Sequence, residues 1–128
     1  MVVATLTDAT RLAGGAYTTA SDGWWEFVQW GETVIGVNGF TDAPQKMTLG
    51  GANFSALGGS PPNAKHIAII RDFVVLGNIN TLPTTVRWCG INNSESWTVS
   101  ATTQADYQEL QGDGGSVQKI IGGEYGTV

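Results

Sequence analysis

Sulfur and imidazole are nearly missing from this 128-residue chain, which has one cysteine, Cys89, and one histidine, His66. A single thiol cannot close an intrachain disulfide, and these two residues cannot make up a Cys/His zinc site. Any His-dependent catalytic triad would have to be built on His66. Charge is scarce too. Charged residues make up 13% of the chain, about half the ~25% of an ordinary globular domain. Eleven acidic residues face six basic ones, for a formal net charge of −5. The basic surface needed for non-specific binding to nucleic acid or an anionic membrane is therefore lacking. The longest apolar runs, Ile67-Ala68-Ile69-Ile70 and Phe73-Val74-Val75-Leu76, are far shorter than the ~20 residues of a membrane-spanning helix. The N-terminus carries no basic stretch followed by an apolar one, so no signal peptide is expected. Neither a G-x-x-x-x-G-K-[ST] phosphate loop nor a G-x-S-x-G nucleophile elbow occurs. The expectation is an acidic, soluble domain made inside a cell, with no membrane insertion, no cofactor and no enzymatic role.

What the chain does have is glycine and aromatic residues, with 18 glycines and 5 tryptophans in 41% apolar sequence. That mixture favours many turns between short strands. Trp25-Glu26-Phe27-Val28-Gln29-Trp30 is interrupted by Gly31-Glu32 and resumes as Thr33-Val34-Ile35-Gly36-Val37. Residues 67–70, the break Arg71-Asp72 and residues 73–76 repeat the plan. Ile120-Ile121, Gly122-Gly123-Glu124 and residues 125–128 begin it a third time. Short β-prone runs joined by two or three turn residues read as hairpins.

The first two hairpin turns lie about 40 positions apart, the spacing expected of β-propeller blades. Pro44 and Pro83 follow them, each ahead of a further strand-like piece, residues 45–48 and 84–88. The fold class expected is all-β, with antiparallel hairpins forming blades of a partial propeller; a β-sandwich is the alternative. Residues 1–24 are expected to form an N-terminal strand and linker, and residues 25–128 the blades, the last one truncated at Val128. Residues 50–63, rich in turn formers, are expected to be an exposed connection. One helical turn is expected at Asp106-Tyr107-Gln108-Glu109-Leu110, opened by a capping box at Thr103-Gln104-Ala105-Asp106.

Few residues offer chemistry. His66, directly before a β-run, reads as a structural hydrogen-bonder, and Cys89, beside Trp88, as a small packed apolar residue. No catalytic residue and no metal site is assigned. Asp106, Glu109 and Asp113 are the best candidates for ion binding, because a helix would set the first two on one face. Capping and solvation explain them more simply. A hydrolase using these acids is the weakest functional reading. Trp24 and Trp25 are adjacent, so one of them should face outward, where an aromatic ring can stack on a sugar or a partner.

The segment Arg87-Trp88-Cys89-Gly90-Ile91-Asn92-Asn93-Ser94-Glu95-Ser96-Trp97-Thr98 resembles one found in tailed-bacteriophage virion proteins. Residues 71–77, Gln104-Ala105-Asp106-Tyr107, Asp113-Gly114-Gly115 and residues 120–126 are similar to the same family in the same order. The resemblance runs from about Trp25 to the C-terminus, and the ordered series carries it rather than any single motif. It implies a tail structural protein, of the β-propeller type found in the tail hub or nozzle of short-tailed phages. Proteins of that family are usually several hundred residues long, so this chain would be a partial one. The implied location is the virion, after synthesis in the host cytoplasm. The implied partners are other tail proteins and further copies in a homo-oligomeric ring, with genome DNA passing through unbound. An acidic, lysine-poor wall suits that passage, since phosphate contacts give protein–DNA binding its strength. The alternative is a glycan-binding, lectin-like module for host attachment, with Trp24 or Trp25 stacking on a host-surface sugar.

Overall fold

Two-residue turns set the architecture. In the computed structural model, which describes residues 10–19, 23–111 and 115–121, Gly31 and Arg71 each take the first turn position with φ of 58° and 54°. Positive φ there matches the right-handed twist of the flanking strands. Each turn joins strands in the register expected: Trp30 pairs with Thr33, and Ile70 with Phe73. The strands are β1 (Glu26–Trp30), β2 (Thr33–Val37), β3 (Gln45–Thr48), β4 (Ser55–Ala56), β5 (Ala64–Ile70), β6 (Phe73–Ile79), β7 (Leu82–Trp88) and β8 (Asp106–Glu109). They form two antiparallel sheets of four strands, ordered β1-β2-β3-β4 and β5-β6-β7-β8. Among the described residues there is no helix, so the fold is all-β and both sheets are open meanders.

Alternation along each strand decides what is buried. Val28, Trp30, Ile35 and Val37 on the first sheet meet Ile67, Val74, Leu76 and Ile79 on the second, with Trp97, Leu57 and Cys89 closing the cluster. Ile35, Val74, Leu76 and Cys89 are fully buried there. Each such aliphatic side chain contributes about 1.5–3 kcal/mol on burial. The opposite face of the second sheet, with Ala68, Val75 and Val86, is covered by Val117 and Ile120 from residues 115–121. The sheets approach chiefly through β1 and β2 against β5.

Several expectations need correction. Residues 106–109 form β8 rather than a helix, pairing with β7 from Thr85↔Glu109 to Trp88↔Asp106. Gln104 has φ of 66°, a left-handed conformation that cannot open a right-handed helix. The Thr103 hydroxyl therefore accepts from Ala105 N, two residues on, instead of capping. The connection at residues 50–63 contains β4 and the buried Leu57 and Pro61. Pro83 lies inside β7 rather than ahead of it. It sits beside a register shift between Gly77 and Ile79, where Asn78 adopts φ of 52°. A bulged ladder tolerates a residue without an N–H. The N-terminal strand and linker expected over residues 1–24 are not settled by residues 10–19 and 23–24, which hold no strand, because residues 1–9 and 20–22 lie outside the described residues. Of the third hairpin, Ile121 makes an isolated β-bridge, and the turn and second run, residues 122–128, lie outside the described residues.

The long connection at residues 89–105 folds back over the first sheet. Glu95 pairs with Lys46 of β3 and accepts from Gly58 N. Gly59, with φ of 83°, lies directly under the Glu95 carbonyl, where an added Cβ would collide with backbone. Gly59→Ala is therefore expected to cost about 1–3 kcal/mol, from overpacking and a strained φ together. Urea denaturation of the two proteins measures this directly.

Candidate functional site

A cleft of about 350 Å³ opens at the junction of the sheets. Trp24 borders it just before β1, and Asn38, Gly39, Phe40 and Thr41 border it just after β2. Lys65 and His66 on β5, Asn78 on β6, and Ser116 and Gln118 complete the wall. Short strands bring these together because the ends of β1 and β2 reach β5, where Gly39 N donates to Ala64 O at 3.1 Å.

Behind the cleft, Glu26 holds three groups. Its Oε2 lies 2.7 Å from His66 Nδ1 and accepts from Trp24 Nε1 at 3.3 Å, while Oε1 accepts from Lys119 Nζ at 3.2 Å. Burial pushes the Glu26 carboxyl up, but the donors His66, Lys119 and Trp24 outweigh it and hold it below its ordinary value. A carboxylate on Nδ1 fixes the imidazole's orientation. His66 is 5% exposed, and the pair ties β1 to β5, which agrees with the structural reading of this histidine.

Asp42 plays a similar part at the rim. It accepts from Arg11 Nη2 at 2.9 Å, Thr18 N at 2.7 Å and Asn38 Nδ2 at 2.9 Å. Burial raises its carboxyl, and these donors lower it further than burial raises it. They fasten residues 10–19 to the first sheet. Asn38 Oδ1 is buried without a hydrogen-bond partner. Lys65 Nζ lies 5.0 Å from the centroid of the Phe40 ring, within cation–π range. The cleft wall thus carries amides, two aromatic rings, a lysine and a histidine, and no carboxylate among the described residues.

No protein-family model matches the chain, and neither does any curated protein or solved structure. Its chemistry is read from its own geometry.

Of the residues singled out from sequence, Trp24 is 62% exposed and lies at the cleft. Trp25 turns the other way, half-buried, stacked on Phe27 with centroids 5.4 Å apart. That aromatic pair lies on the face away from the second sheet, not in the core between them. Asp106 and Glu109 are exposed on β8, a strand and not the expected helix. Residues three apart in a strand point to opposite faces, so the two carboxylates diverge. Asp113 is outside the described residues. Cys89 is buried, accepts from Val74 N at 3.1 Å, and has its thiol pushed up by burial.

Glu26 was the residue missed. The signal was the repeat, because Glu26 and His66 are 40 residues apart and occupy matching positions in the two hairpins.

A lowered carboxyl stabilises the fold fully above its unfolded value and stops doing so as pH falls through the folded one. Glu26→Gln is therefore expected to be less stable than wild type by about 1–3 kcal/mol at neutral pH. The gap should close as pH drops below the ordinary glutamate value of 4.5. Paired urea melts across that range test it; a gap that persists in acid would mean packing, not charge, sets the difference.

Proposed function

We propose that this chain is a structural component of a bacteriophage tail, built from two successive blades of propeller type and acting through protein–protein contacts. The observation that carries the reading is the repeat itself. A four-stranded meander is followed by another, with matching turns and with the first strands of the two meeting, as blades do around an axis. A sandwich would stack its sheets face to face along all their strands. The ordered resemblance to tail proteins supplies the setting. The acidic, weakly charged composition suits a wall past which DNA slides without being held. Further virion proteins, and other copies in a ring, are the partners. Host-cell synthesis followed by incorporation into the virion is the corresponding location.

Peptide mass mapping of purified particles from the native source tests this reading. Peptides of this chain in the tail fraction are the expected result. Their absence from intact particles would overturn it.

The cleft favours a second reading, a glycan-binding role in host attachment. An exposed indole at Trp24 and the amides opposite it are the groups that stack on a sugar ring and bond its hydroxyls. On this reading, a glycan array probed with the soluble chain gives specific binding. Trp24→Ala then weakens it roughly tenfold or more, about 1.4 kcal/mol, while Trp25→Ala, on the other face, leaves it intact. Binding indifferent to Trp24 would rule the cleft out.

A further inference from the structure

The chain has six basic residues, and they are engaged in different ways. Arg11 pairs with Asp42, Lys46 with Glu95 and Lys119 with Glu26. The Arg87 guanidinium donates to the Trp97 carbonyl, and Arg71 lies in the β5–β6 turn, at the other end of β5 from the cleft. Lys65 is exposed on the cleft wall and pairs with no carboxylate among the described residues. Its ammonium lies 5.0 Å from the Phe40 ring centroid instead. A ring holds a cation through its quadrupole, which fixes the ammonium in place and leaves its charge uncancelled.

The carboxylates nearest this wall are already occupied. Glu26, behind the cleft, accepts from His66, Trp24 and Lys119. Asp42, at the rim, accepts from Arg11, Thr18 and Asn38. With His66 neutral, the charges grouped here leave one positive charge over, in a chain whose overall balance is −5. The same cleft presents the indole of Trp24, 62% exposed. Its Nε1 is spent on Glu26, which anchors the ring by its edge. Among the described residues no other ring stacks on it, so its face is free for a ligand. Asn78 and Gln118 add amides for hydroxyl groups.

We propose that the cleft takes a sugar bearing one negative charge, a carboxylate or a sulfate ester, with the sugar ring on Trp24 and the anionic group on the Lys65 ammonium. This rests on the glycan-binding reading above and adds the ligand class and the residue that selects it. A neutral sugar satisfies the indole and the amides but leaves the ammonium to water. An acidic one gives it a charge-assisted hydrogen bond. One cation is too few for the multiple phosphate contacts that hold nucleic acid, so the same site does not retain DNA.

A glycan array carrying matched pairs tests the proposal, with titration calorimetry on the strongest binders. The pairs are uronate-containing oligosaccharides with their carboxyl-reduced forms, and singly sulfated ones with their desulfated forms. Wild type is expected to bind the charged member of a pair roughly fivefold more tightly, the upper end for a partly exposed ion pair. The ratio should fall as salt is raised, and the pair with the larger ratio identifies the anionic group. Lys65→Gln should abolish the preference and Lys65→Arg keep it. Lys46→Gln, which removes the same charge away from the cleft, should leave it unchanged; far-UV circular dichroism checks that each variant folds. Equal binding of both members, weakened by Trp24→Ala, overturns the proposal and leaves the glycan reading standing. A preference that survives Lys65→Gln overturns it too, as does equally strong competition by inorganic sulfate, which would give the sugar no part in the site. A chain that binds no glycan on the array removes the glycan reading and this proposal together.

Discussion

A sheet of four short strands has two faces and cannot cover either one by itself, and the rest of this structure follows from that constraint. The first sheet supplies Val28, Trp30, Ile35 and Val37 to the second, which supplies Ile67, Val74, Leu76 and Ile79 in return. That single apolar layer makes one folded unit of two meanders that would each be marginal alone. It also leaves each sheet with a second face to cover. On the second sheet the chain itself does so, returning with Val117 and Ile120. On the first, residues 10–19 cover it only in part, around Tyr17. The two sheets therefore end differently, one outer face closed by the returning chain and the other left partly open.

The few charges are placed where this layer ends. Glu26 and His66 meet at 2.7 Å where β1 crosses β5, and Lys119 brings the returning segment to the same carboxylate. Asp42, gathering Arg11, Thr18 and Asn38, fastens residues 10–19 in the same way. Lys46 and Glu95 pin the long connection to β3. Each pair joins segments distant in sequence at the margin of the apolar layer. Lys46, Glu95 and Lys119 keep contact with water, whereas Asp42 and His66 are buried and need their partners to offset desolvation. A low overall charge fraction is compatible with specificity because these few groups mark register between segments rather than general solubility.

The parts of this fold legible in the sequence are those where burial writes a local pattern. Residues 25–37 and 67–76 alternate or cluster apolar residues around a two-residue break, and their hairpins follow with the expected turns. β8 left no such mark. All four of its residues are exposed, and what makes it a strand is its ladder to β7, a tertiary cause that local propensity does not record. The capping-box pattern ahead of it was satisfied by a turn instead, since hydroxyl and carboxylate oxygens accept from backbone N–H groups in turns as readily as at helix N-termini. At the candidate site, Trp24 was visible as one of two adjacent tryptophans of which only one could turn inward. Glu26, Asp42 and Asn38 were not, because a polar residue in a strand or loop reads as surface unless its partner is known.

The partner of Glu26 could nonetheless have been found by treating the repeat as geometry and not only as a period. When two hairpins share turn and register, residues at equal offsets lie at equal heights along their sheets. If the first strands of the sheets also meet, equal heights become contacts. Glu26 and His66 satisfy both conditions, and their opposite chemistry turns a like position into an attractive one. The same equivalence that buries Ile67 and Leu76 leaves Phe27 half-exposed. One relation thus accounts for a polar tie between the sheets and for the exposure of the Phe27 ring.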